Sequence, residues 1–148
     1  MKTIFTPVFI AIGLFSATVI SNSCAKADHS QDLPKEQQVV GTWSINRIQL
    51  RLYSGSIFIK DTILALNHHP NYVKFDAAGS FEYKFNSSLP DEGTYQFVGA
   101  DSVISNSIPQ NYRWKMLTLT DKLFTVVNTG ADPAFPGLKV ERYQTFVR

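Results

Sequence analysis

From Val39 to the end of the chain, apolar and polar residues alternate over short stretches that glycine, proline and asparagine separate. A period of two residues is typical of β-strands, whereas an amphipathic helix repeats every 3.6 residues. The pattern predicts eight or nine strands with mostly short connections. The predicted strands are 39–50, 57–64, 72–76, 80–85, 93–98, 102–105, 112–120, 123–127 and 138–147.

The clearest predicted hairpin covers residues 72–85. Its second strand places Phe81, Tyr83 and Phe85 on one face, because successive side chains of a strand point to opposite sides. Gly79 supplies the positive φ that a hairpin loop of three to five residues often needs. We therefore expect an aromatic face on this strand.

Two segments are less regular. Residues 57–64 form a weak strand pattern, and 61–67 also fits a short helix capped by Asp61. Residues 128–137 contain two prolines and two glycines, which favours a long loop. Neither segment changes the predicted fold class.

Regular strand spacing without intervening helices favours an all-β fold, either an up-and-down antiparallel barrel of about eight strands or a sandwich. The length of 148 residues suits one domain. Aromatic residues make up 13% of the chain, which also favours sheet. Hydrophobic residues make up 44% and charged ones 18%, which excludes disorder of the whole chain.

The N-terminus has the layout of a secretory signal: Lys2, an apolar stretch over 4–20, and a small polar end. Pro7 and Gly13 make the stretch a poor membrane span. The sole cysteine, Cys24, follows directly, an arrangement that resembles the lipobox of bacterial lipoproteins. The resemblance implies that Cys24 becomes the lipid-modified mature N-terminus. The alternative is an ordinary secreted protein.

The predicted organisation is therefore a signal peptide at 1–23, a polar flexible tether at 24–38 and a folded domain at 39–148. The implied location is the cell envelope, on the periplasmic side or the surface of an outer membrane. Contact with the membrane is expected through the lipid anchor only.

The folded part resembles the lipocalin-like domains of Bacteroidetes lipoproteins. The resemblance rests on Gly41-Thr42-Trp43 in the first strand, Gly93-Thr94-Tyr95, the turn at Leu119-Thr120-Asp121, and a terminal strand ending at Arg148. It implies a barrel with one closed and one open end, in which Trp43 seals the closed end. In lipocalins an arginine lies across this tryptophan, and either Arg142 or Arg148 is expected to fill that place.

Composition and motifs argue against several function classes. A net charge of +2 without a basic stripe argues against nucleic-acid binding. One cysteine allows neither an intrachain disulfide nor a cysteine zinc site. The adjacent His68 and His69 would point to opposite faces of a strand and have no carboxylate nearby, so no metal site is predicted. No nucleophile motif or phosphate loop is present, so neither enzyme activity nor a cofactor is expected.

Aromatic faces carry the remaining functional signal. An eight-stranded barrel is wide enough to be filled by side chains or to hold one small ligand. The candidate ligand contacts are Phe81, Tyr83, Phe85, Tyr95, Phe97 and Trp114, with Tyr112 on the same face. Two hypotheses result: a barrel that binds a small apolar ligand, or a filled barrel that contacts a protein or glycan partner through its loops.

Overall fold

The computed structural model describes residues 33–87 and 89–148 of the chain. The predicted signal peptide, Cys24 and most of the tether lie outside the described residues. The elements are α1 (Lys35–Gln38), β1 (Gly41–Ser54), β2 (Ile57–Ile63), β3 (Tyr72–Phe75), β4 (Ser80–Lys84), β5 (Asp91–Val98), β6 (Ser102–Ile108), β7 (Arg113–Leu119), β8 (Leu123–Gly130) and β9 (Lys139–Val147).

Eight of the strands form a closed antiparallel barrel. The strands from β3 to β9 each pair with the next one along the chain, and β1 closes the barrel by pairing with both β3 and β9. The prediction of an up-and-down barrel of about eight strands is confirmed. The ninth strand, β2, is an addition that pairs with β1 and with no other strand of the described part of the chain.

Strand β1 is longer than the pattern predicts, because three different strands support it. Its first residues, Gly41 to Ser44, pair with β3, and its second half pairs with β2. Along the other edge it pairs with β9 as far as Tyr53. The helix considered for 61–67 is wrong: Asp61 lies in β2, where it accepts a hydrogen bond from Gln49 Nε2 at 2.8 Å.

Other boundaries differ where neighbouring strands extend the pairing. Strand β5 begins inside the predicted loop 86–92, and β8 runs to Gly130 inside the predicted loop 128–137, because both have partners there. The last residues of the predicted tether form α1, a single turn of helix. No helix within residues 33–87 and 89–148 is long and apolar enough to cross a bilayer.

The barrel interior is filled mainly by aromatic rings. Trp114 lies at the centre, with its ring centroid 5.8 Å from those of Phe81 and Phe146. Phe75 contacts Phe81, Trp114 and Phe124 edge to face, at 5.6 to 6.4 Å. Such geometry adds about 0.5–1.5 kcal/mol per pair beyond burial of area. The aromatic cluster therefore forms a packed core.

Trp43 closes one end of the barrel. It is fully buried, and its Nε1 donates a hydrogen bond to the carbonyl of Val39 at 2.7 Å. The guanidinium of Arg148 lies 3.9 Å from the centre of the Trp43 ring system and donates to the carbonyls of Gln38 and Val40. Arg148 thus clamps the segment that leads into β1 over the tryptophan.

Arg142, the other arginine considered for this place, does not contact Trp43. It lies six residues before Arg148 on the same inward-facing register, which corresponds to about 20 Å along a strand. Its Nη2 is instead 2.8 Å from Asp132 Oδ2 at the opposite end of the barrel. Of the two arginines that the sequence left as alternatives, Arg148 covers the tryptophan and Arg142 does not.

Candidate functional site

The end of the barrel opposite Trp43 is called the mouth and is bounded by residues 85–87, 89–90, 109–112 and 131–138. Beneath it, the interior changes from apolar to polar. The buried polar residues of the described chain are Ser105, Ser107 and Gln144, and they lie beside the hydroxyls of two buried tyrosines. These five residues, Tyr83, Ser105, Ser107, Tyr112 and Gln144, form the polar tier.

Hydrogen bonds join the members of the polar tier in two groups. The Tyr83 hydroxyl donates to Gln144 Oε1 at 3.2 Å, joining β4 to β9. The Ser105 hydroxyl accepts from the backbone N–H of Tyr112 at 2.9 Å and lies 3.1 Å from the Ser107 hydroxyl. The tier is therefore held by strands on several sides of the barrel.

Two carboxylates stand above the tier at the mouth. The Tyr112 hydroxyl donates to Asp91 Oδ2, and Arg142 donates to Asp132 Oδ2 at 2.8 Å. The Arg142 and Asp132 side chains are largely buried, which strengthens their attraction relative to an exposed pair. The charged groups of the mouth are therefore two acids and one base.

Both tyrosines of the tier stay protonated. Burial raises the pKa of Tyr83 far above its ordinary value. Burial, followed by hydrogen bonding to Asp91, raises the pKa of Tyr112 as well. At physiological pH both side chains are neutral phenols that donate hydrogen bonds.

Two polar atoms near the mouth have no hydrogen-bond partner among the described residues. They are the donor Gln144 Nε2 and the acceptor Asn128 Oδ1, both buried. A third such atom, Trp114 Nε1, lies deeper in the core. A buried polar atom without a partner costs about 1–3 kcal/mol, and each such case in a native protein calls for an explanation.

The mouth contains two adjacent depressions. The larger, about 210 Å³, is lined by Tyr83, Phe85 and Asp91 among others. The smaller, about 160 Å³, is lined by Asn128, Asp132 and Gln144 among others. Both are also lined by Gln110, Tyr112 and Arg142. Each is smaller than the roughly 300 Å³ at which pockets for drug-sized ligands begin, so a small group fits each one.

The structure distributes the predicted ligand contacts over three places. Phe81 and Trp114 are buried in the packed core. Tyr83 and Phe85 line the mouth. Tyr95 and Phe97 are half-buried near the closed end, where they line an open groove of about 480 Å³ beside α1. The six aromatic residues therefore do not form one site.

Sequence reasoning missed most of the polar residues of the mouth. On β9, Arg142 and Gln144 occupy the same alternating register as the buried Val140 and Phe146. Polar residues in an otherwise apolar inward register are a signal of a polar interior, and this signal was available in the sequence. Asn128 and Asp132 fell inside the predicted loop 128–137 and were not considered.

Other candidate chemistry lies outside the barrel. His68 and His69 are exposed between β2 and β3. Within residues 33–87 and 89–148 no three His, Cys, Asp or Glu side chains are grouped to hold a metal. A depression of about 530 Å³ on the outer sheet surface is lined by Lys74, Glu82 and Glu92. Lys74 lies 3.7 Å from Glu82, so this surface partly neutralises its own charge.

Comparison with known proteins finds no protein family that matches the chain and no curated relative. The geometry of the mouth is therefore the main evidence for a function.

Proposed function

We propose that this protein is a lipid-anchored, non-catalytic binding module of the cell envelope that takes a small ligand at the mouth of its barrel. The observation that supports the proposal is the polar tier beneath the two depressions. Within this tier Gln144 is only 1% exposed, and its donor atom Nε2 has no hydrogen-bond partner among the described residues. Burying polar groups costs free energy that an apolar filling would avoid. A ligand that forms hydrogen bonds with these groups offsets that free-energy cost in the complex.

The packed core determines where such a ligand would lie. The aromatic rings of the core contact one another in a continuous series that begins at Trp43 at the closed end and ends at Tyr83 below the mouth. An apolar ligand in the interior would have to displace them, whereas the mouth offers space without displacing the core. The proposal therefore moves the ligand from the barrel interior, where the sequence suggested it, to the mouth.

The lining of the mouth supports binding over catalysis. Its two tyrosines are neutral, and its two acids accept hydrogen bonds from Tyr112 and Arg142. The residues that line the two depressions include no histidine, cysteine or lysine. A nucleophile activated by an adjacent base therefore cannot be assigned there.

A blocking variant at the mouth tests the proposal. Gly130 faces inward opposite Val140, and a side chain built on it meets no atom within 4 Å. Gly130→Trp should fill the smaller depression, whereas Thr129→Trp, on the opposite face of β8, should leave it open. The probe is the neutral fluorophore N-phenyl-1-naphthylamine, and the measurement is its fluorescence enhancement on titration with protein.

We expect saturable enhancement with the unaltered protein and with Thr129→Trp, and its loss with Gly130→Trp. Equal binding to the two tryptophan variants would show that the probe occupies another place. If neither this probe nor the amides tested below bind, the proposed function is wrong.

The anchor has its own test. If Cys24 carries lipid, Cys24→Ser should abolish incorporation of labelled fatty acid and release the protein from the membrane fraction. Each buried methylene contributes about 0.8 kcal/mol, so no polar tether could replace the chains. Ser23→Ala, which keeps a small residue before the cysteine, should behave as the unaltered protein does. Undiminished labelling of Cys24→Ser would contradict the proposed anchor.

A second candidate function is an accessory module that docks a partner protein through β2. Among residues 33–87 and 89–148 this strand has a pairing partner on one edge only, and Ile57, Phe58 and Ile63 are 70%, 53% and 60% exposed. Such an edge is a template for an extended segment of another protein. A photocrosslinker at Phe58 should then give one specific adduct in cells, and one at the similarly exposed Leu117 on β7 should not. Identical adducts from the two positions would argue against this function.

A further inference from the structure

The two unpaired atoms of the mouth are complementary in kind. Gln144 Nε2 is a donor, and Asn128 Oδ1 is an acceptor. The neutral Tyr83 hydroxyl donates to Oε1 of Gln144, and Nε2 is the atom left without a partner. A ligand group that satisfies both atoms must accept one hydrogen bond and donate another.

The pairing of β8 with β9 sets the distance between the backbone positions from which the side chains of Asn128 and Gln144 extend. Asn128 lies directly opposite Arg142, and Gln144 lies opposite Val126, so Asn128 and Gln144 are diagonal neighbours on the inward face. The Cα atoms of diagonal neighbours in an antiparallel pair are about 7–8 Å apart, and the side chains of Asn128 and Gln144 both line the smaller depression. One small planar group in this depression can therefore be approached by both amides, each at a hydrogen-bond distance of about 2.9 Å.

The charges of the mouth favour a neutral group. Asp91 and Asp132 contribute two negative charges, against the one positive charge of Arg142. Arg142 is already engaged with Asp132. A carboxylate entering the mouth would therefore meet an excess of negative charge in a partly buried, weakly screened place.

We propose that the ligand presents a neutral carboxamide to the mouth, its C=O accepting from Gln144 Nε2 and its N–H donating to Asn128 Oδ1. This proposal rests on the proposed function and specifies its ligand class. The aromatic side chains of Tyr83, Phe85 and Tyr112 provide apolar walls for the atoms next to the amide. An N-acylated amine, in a peptide or in an amino sugar, has this chemistry.

A pair of matched small molecules tests the proposal. N-methylacetamide and methyl acetate have almost the same shape and no charge, but the ester lacks the N–H donor. The ¹⁵N-labelled protein is titrated with each, and the side-chain amide signals of Gln144 are followed by NMR. Their assignment comes from their disappearance in Gln144→Met. N-acetylglucosamine and glucose form the second matched pair and distinguish a sugar amide from a peptide amide.

We expect the Gln144 side-chain signals to shift with N-methylacetamide or N-acetylglucosamine. We also expect about tenfold weaker binding of methyl acetate, as loss of one well-placed hydrogen bond predicts, and weaker binding still of glucose, which lacks the whole amide. Equal or tighter binding of methyl acetate would overturn the proposal, because the N–H donor would then contribute nothing. Shifts that leave the Gln144 amide unaffected would overturn it as well.

A double variant separates a loss of amide binding from a loss of folding. Tyr83→Phe with Gln144→Met removes both members of a hydrogen bond, which is less disruptive than removing one of them. It should keep the cooperative unfolding transition of the unaltered protein and lose the preference for amides. If amides fail to bind the unaltered protein but N-phenyl-1-naphthylamine binds and is excluded by Gly130→Trp, the proposed function stands and the carboxamide proposal fails.

Discussion

Replacing Trp43 with alanine should lower the free energy of unfolding by about 3–5 kcal/mol. The side chain is fully buried, packs against Phe124 with ring centroids 5.6 Å apart, and lies under the Arg148 guanidinium. Truncation removes these contacts, leaves a cavity and frees the carbonyl of Val39 from its indole partner. Chemical denaturation measures this loss as a shift of the unfolding midpoint, provided that the m-value stays the same.

The contribution of Arg148 can be separated from that of the indole. Arg148→Met keeps much of the side-chain volume but removes the charge and its hydrogen bonds to the carbonyls of Gln38 and Val40. It should cost less than Trp43→Ala, because a cation–π contact contributes about 0.5–2 kcal/mol. An unchanged midpoint of unfolding for Trp43→Ala would exclude its role in closing the barrel.

Gly93→Ala should destabilise the barrel by about 3 kcal/mol, at the upper end of what overpacking costs. A methyl group on Gly93 would lie 2.0 Å from the carbonyl oxygen of Asn106 and 2.6 Å from Cα of Ser107. Both obstacles are backbone atoms of the paired strand β6, so no side chain can rotate away. Relief would require β5 and β6 to separate beneath the polar tier.

Gly130→Ala is the matched control for this substitution. Gly130 is also a strand glycine, but a methyl group there would meet no atom within 4 Å. Its effect should stay within about 0.5 kcal/mol, as for an unobstructed surface change. Similar thermal midpoints for the two alanine variants would show that β5 and β6 are not in the close contact described.

The fold was predictable because each strand carries its own signal. The alternation around Phe81 and Tyr83 identifies both a strand and its inward face without knowledge of the partner strands. The extent of β1 beyond Leu50 was harder to predict, because Arg51 and Tyr53 pair with β2 on one side and, on the other, with β9 at the far end of the chain. Local patterns do not contain such distant pairings.

The site was less predictable than the fold. Side-chain alternation tells which residues face inward but not their height in the barrel, so Tyr95 and Tyr83 looked equivalent although they lie towards opposite ends. The same ambiguity left Arg142 and Arg148 as alternatives for Trp43, and only the β1–β9 register distinguishes them. Whether the side-chain amides of Asn128 and Gln144 find hydrogen-bond partners depends on residues that are distant in the sequence. The alternation of apolar and polar residues therefore cannot predict that each amide has an unpaired atom.

The pairing of β1 with β9 also bears on the order of events during folding. The barrel closes only when residues from opposite ends of the described chain meet, and Arg148 then covers Trp43. Long-range strand pairing of this kind bears a large loop-closure entropy and makes folding slow. A chain with this topology cannot close its barrel before β9 is available to pair with β1, so the barrel stays open while β3 to β8 are being synthesised.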